Sequence, residues 1–277
     1  MILFAVLTSI CSVSQSAFTK IASGKGTTSS PMLFNTWKVG ASFAFFLLIS
    51  LYNLQLHIPT VVFGTAYGFS LFLSTHFGYQ ALASGSMALT SLIVSYSVII
   101  PFFFGILFLN ESVGYIQIFG IILLLISIYM LNRRADNVTT KKHWLVYVII
   151  TFFCNGISSI LQKLHQTVYP SSYCREFMVC SLFIGFLLFT VIAKIKKEKK
   201  NEETAKYAIA SGILMGLANY LTLVLSSKVN ATVLFPLISV FSMIINIIVS
   251  RLYFKDKFSI IQLAGIGVGV ISVLMIK

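Results

Sequence analysis

Two stretches 145 residues apart repeat one pattern: NESVGYIQIFGIILLLISIYML at 110–131 and KDKFSIIQLAGIGVGVISVLMI at 255–276. In each stretch a short acidic turn, with Glu111 or Asp256, precedes a long apolar run. Both runs carry a glutamine and a glycine at matching positions. This pair of stretches predicts an internal duplication of the chain.

Two further pairs of segments align in the same order. An offset of 143 places Lys20 on Lys163, and an offset of 140 places Trp37 on Phe177. Apolar segments often match by chance, but three colinear matches with their gaps between the apolar runs are strong evidence together. The predicted units are a first repeat at 1–135, a basic connecting loop at 136–143 and a second repeat at 144–277.

The composition places this chain in a membrane. Hydrophobic residues make up 57% of the sequence and charged residues only 10%, where soluble domains carry about 25% charged residues. A soluble fold hides only part of its side chains, so it could not cover this much apolar surface. The composition excludes a soluble globule, a disordered chain and a disulfide-stapled secreted module.

Ten apolar runs are long enough to be transmembrane helices, which need roughly 20 residues each. In chain order, spans 1 to 10 are 2–19, 33–52, 61–82, 87–109, 113–132, 144–164, 176–195, 206–227, 232–253 and 258–276. The predicted fold class is an all-α integral membrane protein, with ten transmembrane helices arranged as two inverted five-helix repeats. The inversion follows because a second copy of an odd number of helices starts on the opposite side of the membrane.

Inverted repeats have a mechanical consequence. Repeats related by an axis in the membrane plane are the architecture of many secondary transporters. Two similar halves can exchange conformations, which opens the centre first to one side and then to the other. The duplication therefore predicts alternating access.

Polar residues form one stripe at helical spacing in each half. The stripes are Ser12, Gln15, Ser16 and Thr19 in span 1 and, at an offset of 143, Asn155, Ser158, Ser159 and Gln162 in span 6. In hydrocarbon such a stripe must face other helices or water. Hydrogen bonds between helices are favoured for the hydroxyl groups, and cavity lining is favoured for the costlier carboxamides.

The candidate site is a central cavity lined by spans 1, 3, 4, 6, 8 and 9, with the polar-poor spans 5 and 10 at the periphery. The predicted substrate-binding residues are Ser12, Gln15, His76, Tyr79, Gln80, Tyr96, Asn155, Ser158, Gln162, Asn219, Tyr220, Ser239 and Ser242. His76 is read as the only histidine well inside a span, and an intramembrane ionisable group is a functional candidate. Cavity lining is favoured for it over proton coupling, with a packed histidine as the alternative.

The charged residues limit the class of solute that the site can bind. None of the seven acids is expected at mid-membrane, whereas a cation/proton antiporter of the small multidrug-resistance kind needs a central carboxylate. We expect Glu111 and Asp256 to cap the helices they precede and Lys38 to snorkel to the interface. A neutral, zwitterionic or anionic solute fits such a site, for example one resembling an amino acid.

Metal, cofactor and catalytic motifs are absent from the sequence. The histidines and cysteines never pair at ligand spacing, and there is no CxxC. There is also no HExxH, GxSxG or GxxxxGK[ST] motif. We therefore predict no enzyme activity, no cofactor and no metal.

The net charge of +13 comes from lysines and arginines between the apolar runs, so it does not indicate nucleic acid as a partner. Fifteen of these residues lie near the loops after spans 1, 5, 7 and 9, and four lie on the side of the termini. The positive-inside rule then predicts those four loops in the cytosol and both termini outside.

The repeated ends carry a family resemblance. The acidic turns and the residues after them read NES-x4-Q-x2-G at 110–120 and KDK-x4-Q-x2-G at 255–265. Before each turn is a predicted helix that begins with small residues, in ALASGSMAL at 81–89 and LSSKVNATVL at 225–234. In order, duplication and length this resembles the EamA type of the drug/metabolite transporter superfamily, over essentially the whole chain. The resemblance implies a metabolite transporter with both termini inside, which disagrees with the charge count.

The predicted function is secondary transport of a small polar or amphipathic metabolite across the plasma membrane. The partners are a small-molecule solute and membrane lipids, while a coupling proton or counter-solute and the oligomeric state are left open. One alternative is a membrane-embedded enzyme acting on lipid or isoprenoid substrates, which would need catalytic groups clustered near one interface. Another is a scaffold or receptor, which would give the mirrored polar stripes no purpose.

Overall fold

The computed structural model describes residues 2–24, 30–50, 54–55, 57–111, 113–132, 143–198, 202–254 and 259–276. Over these ranges the chain is helical and contains no strand. The helices are α1 (Ile2–Gly24), α2 (Pro31–Ser50), α3 (Ile58–Ser84), α4 (Met87–Ser95), α5 (Ile99–Phe108), α6 (Tyr115–Asn132), α7 (Trp144–Val168), α8 (Cys174–Ile195), α9 (Glu202–Ser226), α10 (Ala231–Tyr253) and α11 (Ile260–Ile276). Asp256 and most of the predicted connecting loop lie outside the described residues.

Seven helical segments in the described ranges are long and apolar enough to cross a membrane. They are α2, α3, the segment Leu89–Phe108, α7, α8, α9 and α10. Helices α1, α6 and α11 occupy the positions of the three remaining predicted spans. The chain is therefore a multi-pass membrane protein that is all-helical over its described residues.

The fourth predicted span is not one continuous helix. A single 3₁₀ turn at Tyr96–Val98 separates α4 from α5. Pro101 follows closely and has no N–H to donate to the carbonyl of Ser97, so the regular α-helical ladder cannot run through this point. The predicted span at 87–109 is therefore divided locally into α4 and α5, while Leu89–Phe108 remains one candidate membrane span.

The helices pack in pairs that bring the two halves of the chain together. Helix α1 lies along α9 and α3 lies along α7, while α2 contacts both α8 and α9. Helix α10 packs against α1, α4 and α5. A buried cluster that includes Phe46, Phe177 and Phe189 joins α2, α3 and α8, and this leaves the polar faces of α1, α3, α4, α7, α9 and α10 to meet at the centre.

Helices α6 and α11 form a separate pair at the edge of this bundle. Ser127 of α6 donates a hydrogen bond of 2.6 Å to the carbonyl of Gly265 in α11. No described residue of either helix lines the cavities described below. This peripheral place fits their scarcity of polar residues.

Two glycines allow backbones to approach closely at matching places in the two halves. A Cβ atom on Gly212 of α9 would overlap the carbonyl of Lys38 in α2, and one on Gly68 of α3 would overlap the carbonyl of Ser181 in α8. Small residues that permit such contact are common at helix interfaces in membranes. These contacts fix α2 against α9 and α8 against α3.

Candidate functional site

Contacts define the two ends of the helical bundle. At one end Glu111, which precedes α6, contacts Lys163 near the end of α7 and the first residues of α10; we call this the Glu111 end. At the other end the Lys20 Nζ donates hydrogen bonds of 2.6 Å to the carbonyls of Leu82 and Gly85; we call this the Lys20 end.

Two cavities lie between the central helices. The larger, of about 320 Å³, extends towards the Lys20 end, and the smaller, of about 220 Å³, extends towards the Glu111 end. The residues common to both linings are Ser12, Tyr67, Ser97, Asn155, Ser158, Asn219, Ile238 and Ser239. The cavities therefore meet at the middle of the bundle, at a layer made mostly of polar side chains.

Both predicted polar stripes face these cavities. All four residues of the α1 stripe line the larger cavity. In α7, Asn155 and Ser158 line both cavities, while Ser159 and Gln162 line the smaller one. Residues at i, i+3, i+4 and i+7 share one face of a helix, so the stripe in each half points at the centre.

Nine of the predicted substrate-binding residues line a cavity, and the other four do not. The nine are Ser12, Gln15, Tyr79, Asn155, Ser158, Gln162, Asn219, Ser239 and Ser242. The four outside both linings are His76, Gln80, Tyr96 and Tyr220. The prediction that these four side chains line the cavity is wrong, and packing against neighbouring side chains explains three of the four cases.

His76 is directed to one side of the cavity because its ring stacks on Phe72, with ring centroids 6.3 Å apart. Phe72 in turn packs on Phe189 of α8, at 4.6 Å between centroids. Gln80 lies one turn further along α3, and its carbonyl accepts a hydrogen bond from the Ser84 hydroxyl. His76 and Gln80 lie on the face of α3 that is adjacent to the face carrying Tyr79.

Tyr96 and Tyr220 pack against apolar neighbours instead. Tyr96 sits in the 3₁₀ turn and clusters with Met243 and Ile247 of α10. The Tyr220 ring meets Phe46 of α2 edge-on, with centroids 6.3 Å apart. Neither position could be deduced from sequence, because helical periodicity does not identify which neighbouring helix covers a face.

The cavity walls contain both satisfied and unsatisfied polar groups. The hydroxyl of Ser239 donates to the carbonyl of Ser95 at 2.7 Å, and that of Ser158 donates to the hydroxyl of Ser70 at 3.0 Å. Three buried carboxamide atoms of residues that line the larger cavity have no hydrogen-bond partner in the described structure: Gln15 Oε1, Asn219 Nδ2 and Asn246 Oδ1. Buried polar atoms normally find a partner, so these atoms mark where a solute or water would bind.

Lys38 is the residue that sequence reasoning misjudged most. It lies in α2, lines the larger cavity and is 6% exposed, so the expectation that it snorkels to the interface is wrong. The remaining lining residues of both cavities, as far as the structure describes the chain, are uncharged. The available signal was that Lys38 is the cation placed inside a predicted span rather than at its edge.

Glu111 caps a helix, but not the one that follows it. Its Oε1 accepts a hydrogen bond from the N–H of Ala231 and its Oε2 accepts one from the N–H of Thr232, both at 3.0 Å. It also lies 3.6 Å from the Nζ of Lys163, and both side chains are buried. The expectation that Glu111 caps its own helix is therefore wrong, since α6 begins only at Tyr115 and the carboxylate joins the two halves.

A second histidine lies at the end of a span. His165 is fully buried but lies in the last turn of α7, just beyond predicted span 6, so it does not contradict the reading of His76 as the only histidine well inside a span. Its Nε2 lies 3.1 Å from the Thr60 hydroxyl, and its Nδ1 lies 2.9 Å from the amide nitrogen of Gln166. This cluster ties the start of α3 to the end of α7 at the Glu111 end.

The comparison with protein families decides the identity. The model of the EamA-like transporter family matches residues 1–133 and 142–277. The chain belongs to the EamA-like transporter family. Members of this family are membrane transporters, and the two matched segments together take in nearly the whole chain.

The fold is similar to that of a solved crystal structure. The two share 16% sequence identity and align with a TM-score of 0.70, over 98% of this chain and 95% of the other. At this identity the likeness shows the fold alone. No curated protein matches the chain. Among the described residues no group of three or more His, Cys, Asp or Glu side chains could hold a metal ion.

Proposed function

We propose that this EamA-like transporter moves a small polar or amphipathic metabolite by alternating access to the central cavity. The observation that carries the proposal is the pair of mirrored polar stripes on α1 and α7, which line two adjoining cavities directed at opposite ends of the bundle. A solute bound at the shared layer could be reached from either end. The proposed solute is neutral, zwitterionic or anionic, because no described acid lines either cavity.

The inverted repeat that this mechanism needs is supported by contacts between α2 and α8. Phe43 stacks on Phe186, its own counterpart at an offset of 143, with ring centroids 6.3 Å apart. Phe43 also packs on Phe183, and Gly40 contacts Phe186. At the same offset Gly40 corresponds to Phe183 and Phe43 to Phe186, so each of these two contacts is the counterpart of the other. The contacts favour 143 over the offset of 140 read from the sequence of these two spans.

Each end of the bundle also carries an equivalent lysine contact. Lys20 donates to the carbonyls of Leu82, in the last turn of α3, and of Gly85, which follows α3. Lys163, its counterpart at 143, donates to the carbonyl of Val229 after α9 at 2.9 Å. We propose that these matching contacts hold the two ends closed, and that one of them opens at a time. We propose that the protein lies in the plasma membrane in the orientation that the charge count favours, so that the basic Lys20 end faces the cytosol.

Counterflow in proteoliposomes tests the proposal. Vesicles loaded with one unlabelled solute are diluted into the same labelled solute, separately for glycerol, L-threonine, lactate and choline, with no nucleotide present. We expect saturable exchange of a neutral, zwitterionic or anionic probe, faster in loaded than in empty vesicles. Choline should stay at the level of protein-free vesicles because the cavity offers no acid. Exchange of choline alone, or of none of the four, would contradict the proposal.

A further inference from the structure

We propose that Lys38 is the anion-binding residue of the central cavity, and that the transported solute carries a carboxylate or phosphate group. This inference rests on the transport function proposed above and names the substrate class. Carboxylate and phosphate share the chemistry that a lysine recognises, namely negatively charged oxygen atoms.

Lys38 has the environment of a binding residue rather than of a structural one. Its side chain is buried and lines the cavity of about 320 Å³, yet it makes no hydrogen bond or ion pair with any described residue. Holding an ammonium group inside a membrane bundle with no protein partner is strongly disfavoured. An anionic solute in the cavity would supply the missing partner.

Two other lysines of the described bundle, the half-buried Lys20 and the buried Lys163, behave differently. Lys20 and Lys163 are satisfied by helix-terminal carbonyls, and Lys163 also pairs with Glu111. They join elements of the fold, whereas Lys38 joins none. Its charge is therefore available to a ligand.

The pseudo-symmetry of the fold also supports a binding role for Lys38. At the offset of 143 the counterpart of Lys38 is Ser181 of α8, a fully buried residue whose hydroxyl donates to the carbonyl of Phe177 in its own helix. At this position of the repeat, packing therefore needs only a small side chain whose hydroxyl is hydrogen-bonded within its own helix. The lysine gives an otherwise mirrored cavity a single positive site, which would orient a solute that has one anionic end.

The position of Lys38 is also well fixed. Its carbonyl lies where Gly212 brings the backbones of α2 and α9 together, so the start of the side chain cannot drift from the cavity wall. Asn219 lies two turns further along α9, lines the same cavity and has an unpartnered Nδ2. Because the two groups lie at different heights on the cavity wall, Lys38 could bind the anionic end of a solute while Asn219 contacts another polar part of it.

Ligand binding to purified protein tests the inference separately from transport. Thermal stabilisation is measured with lactate, glycerol phosphate and glycerol, for the wild type, Lys38→Met, Lys38→Gln and Lys38→Arg. Lys194→Met, at an exposed lysine in the last turn of α8, is the matched control. We expect at least one of the two anions to stabilise the wild type and Lys194→Met. Its affinity should fall about tenfold or more in Lys38→Met and Lys38→Gln and be partly retained in Lys38→Arg.

Each outcome bears on a different claim. Stabilisation by lactate but not by glycerol phosphate, or the reverse, identifies the anionic group and supports the inference. If anion binding depends on Lys38 while counterflow of the same probe is absent, the assignment of Lys38 as the anion-binding residue stands, and the transport proposal fails together with the class of transported solute. If neither anion stabilises the wild type, or Lys38→Met and Lys38→Gln bind as Lys194→Met does, the inference is overturned. Counterflow of glycerol that is unchanged in Lys38→Met would overturn it and leave the transport proposal standing.

Discussion

Replacing Glu111 by alanine is expected to destabilise the protein by about 3–5 kcal/mol, because it leaves Lys163 buried without its carboxylate partner. The same substitution removes the acceptor from two N–H groups in the first turn of α10. Glu111 belongs to the first half of the chain, and the three partners of its carboxylate, Lys163, Ala231 and Thr232, belong to the second. The loss should therefore appear as a lower midpoint of thermal unfolding for the whole protein in detergent.

Two further variants separate these contributions. Glu176→Ala is the matched control, since Glu176 also accepts a backbone N–H, that of Gln55 at 3.1 Å, but at an exposed site; its effect should be about 1 kcal/mol or less. Glu111→Ala combined with Lys163→Met removes the unpaired cation, so it should recover part of the lost stability. Equal midpoints for Glu111→Ala and Glu176→Ala would contradict the buried pair, as would a double variant that is no more stable than Glu111→Ala alone.

Asn155→Leu is expected to reduce counterflow about tenfold or more while leaving the amount of folded protein unchanged. Asn155 lines both cavities at their junction, so leucine would place an apolar side chain of similar size where any solute must pass. Loss of one hydrogen bond to a charged or strongly polar solute accounts for a change of this order. Expression and the unfolding midpoint are measured beside initial exchange rates.

Thr65→Leu provides the comparison for Asn155→Leu. Thr65 is exposed on α3, outside both cavity linings, and its hydroxyl is satisfied by the carbonyl of Val61 within the same helix. This variant adds the same leucine at the surface that faces lipid, so exchange should remain near the wild-type rate. Wild-type exchange in Asn155→Leu would show that the solute does not pass the junction of the cavities.

Local periodicity made the central part of the site predictable from sequence. Ser12 and Asn155 head two stripes of the same spacing, and a membrane helix has to turn such a stripe away from lipid. The prediction failed where two faces of one helix are both polar. On α3, Tyr79 faces the cavity, whereas His76 lies on the adjacent face and stacks on Phe72. Only the packing of neighbouring helices distinguishes these faces.

Long-range contacts account for the other differences. Glu111 caps a helix that begins 120 residues later in the chain, and no local capping rule identifies such a partner. Lys38 has a side chain long enough to reach an interface, so snorkelling was a reasonable expectation. Its burial depends on Gly212 drawing α9 against α2, a contact between the two halves that the sequence of α2 alone does not encode.

Alternating access is tested most directly by two cysteines at matched positions, Ser16→Cys and Ser159→Cys, in a background without the four native cysteines. Ser16 lines only the larger cavity and Ser159 only the smaller, and each hydroxyl donates at 3.0 Å to the carbonyl four residues earlier. A bulky impermeant maleimide is applied from one face of sealed vesicles, and labelling of the other cysteine is then measured from the opposite face.

We expect each cysteine to react only from the face nearer its own end, with Ser159→Cys reached from the Glu111 end. A maleimide attached there should hold that end open and slow the labelling of Ser16→Cys from the Lys20 end, and the converse should hold when the order is reversed. If labelling of the second cysteine is unchanged by the first adduct, or if both cysteines react from both faces, the two ends do not open in alternation.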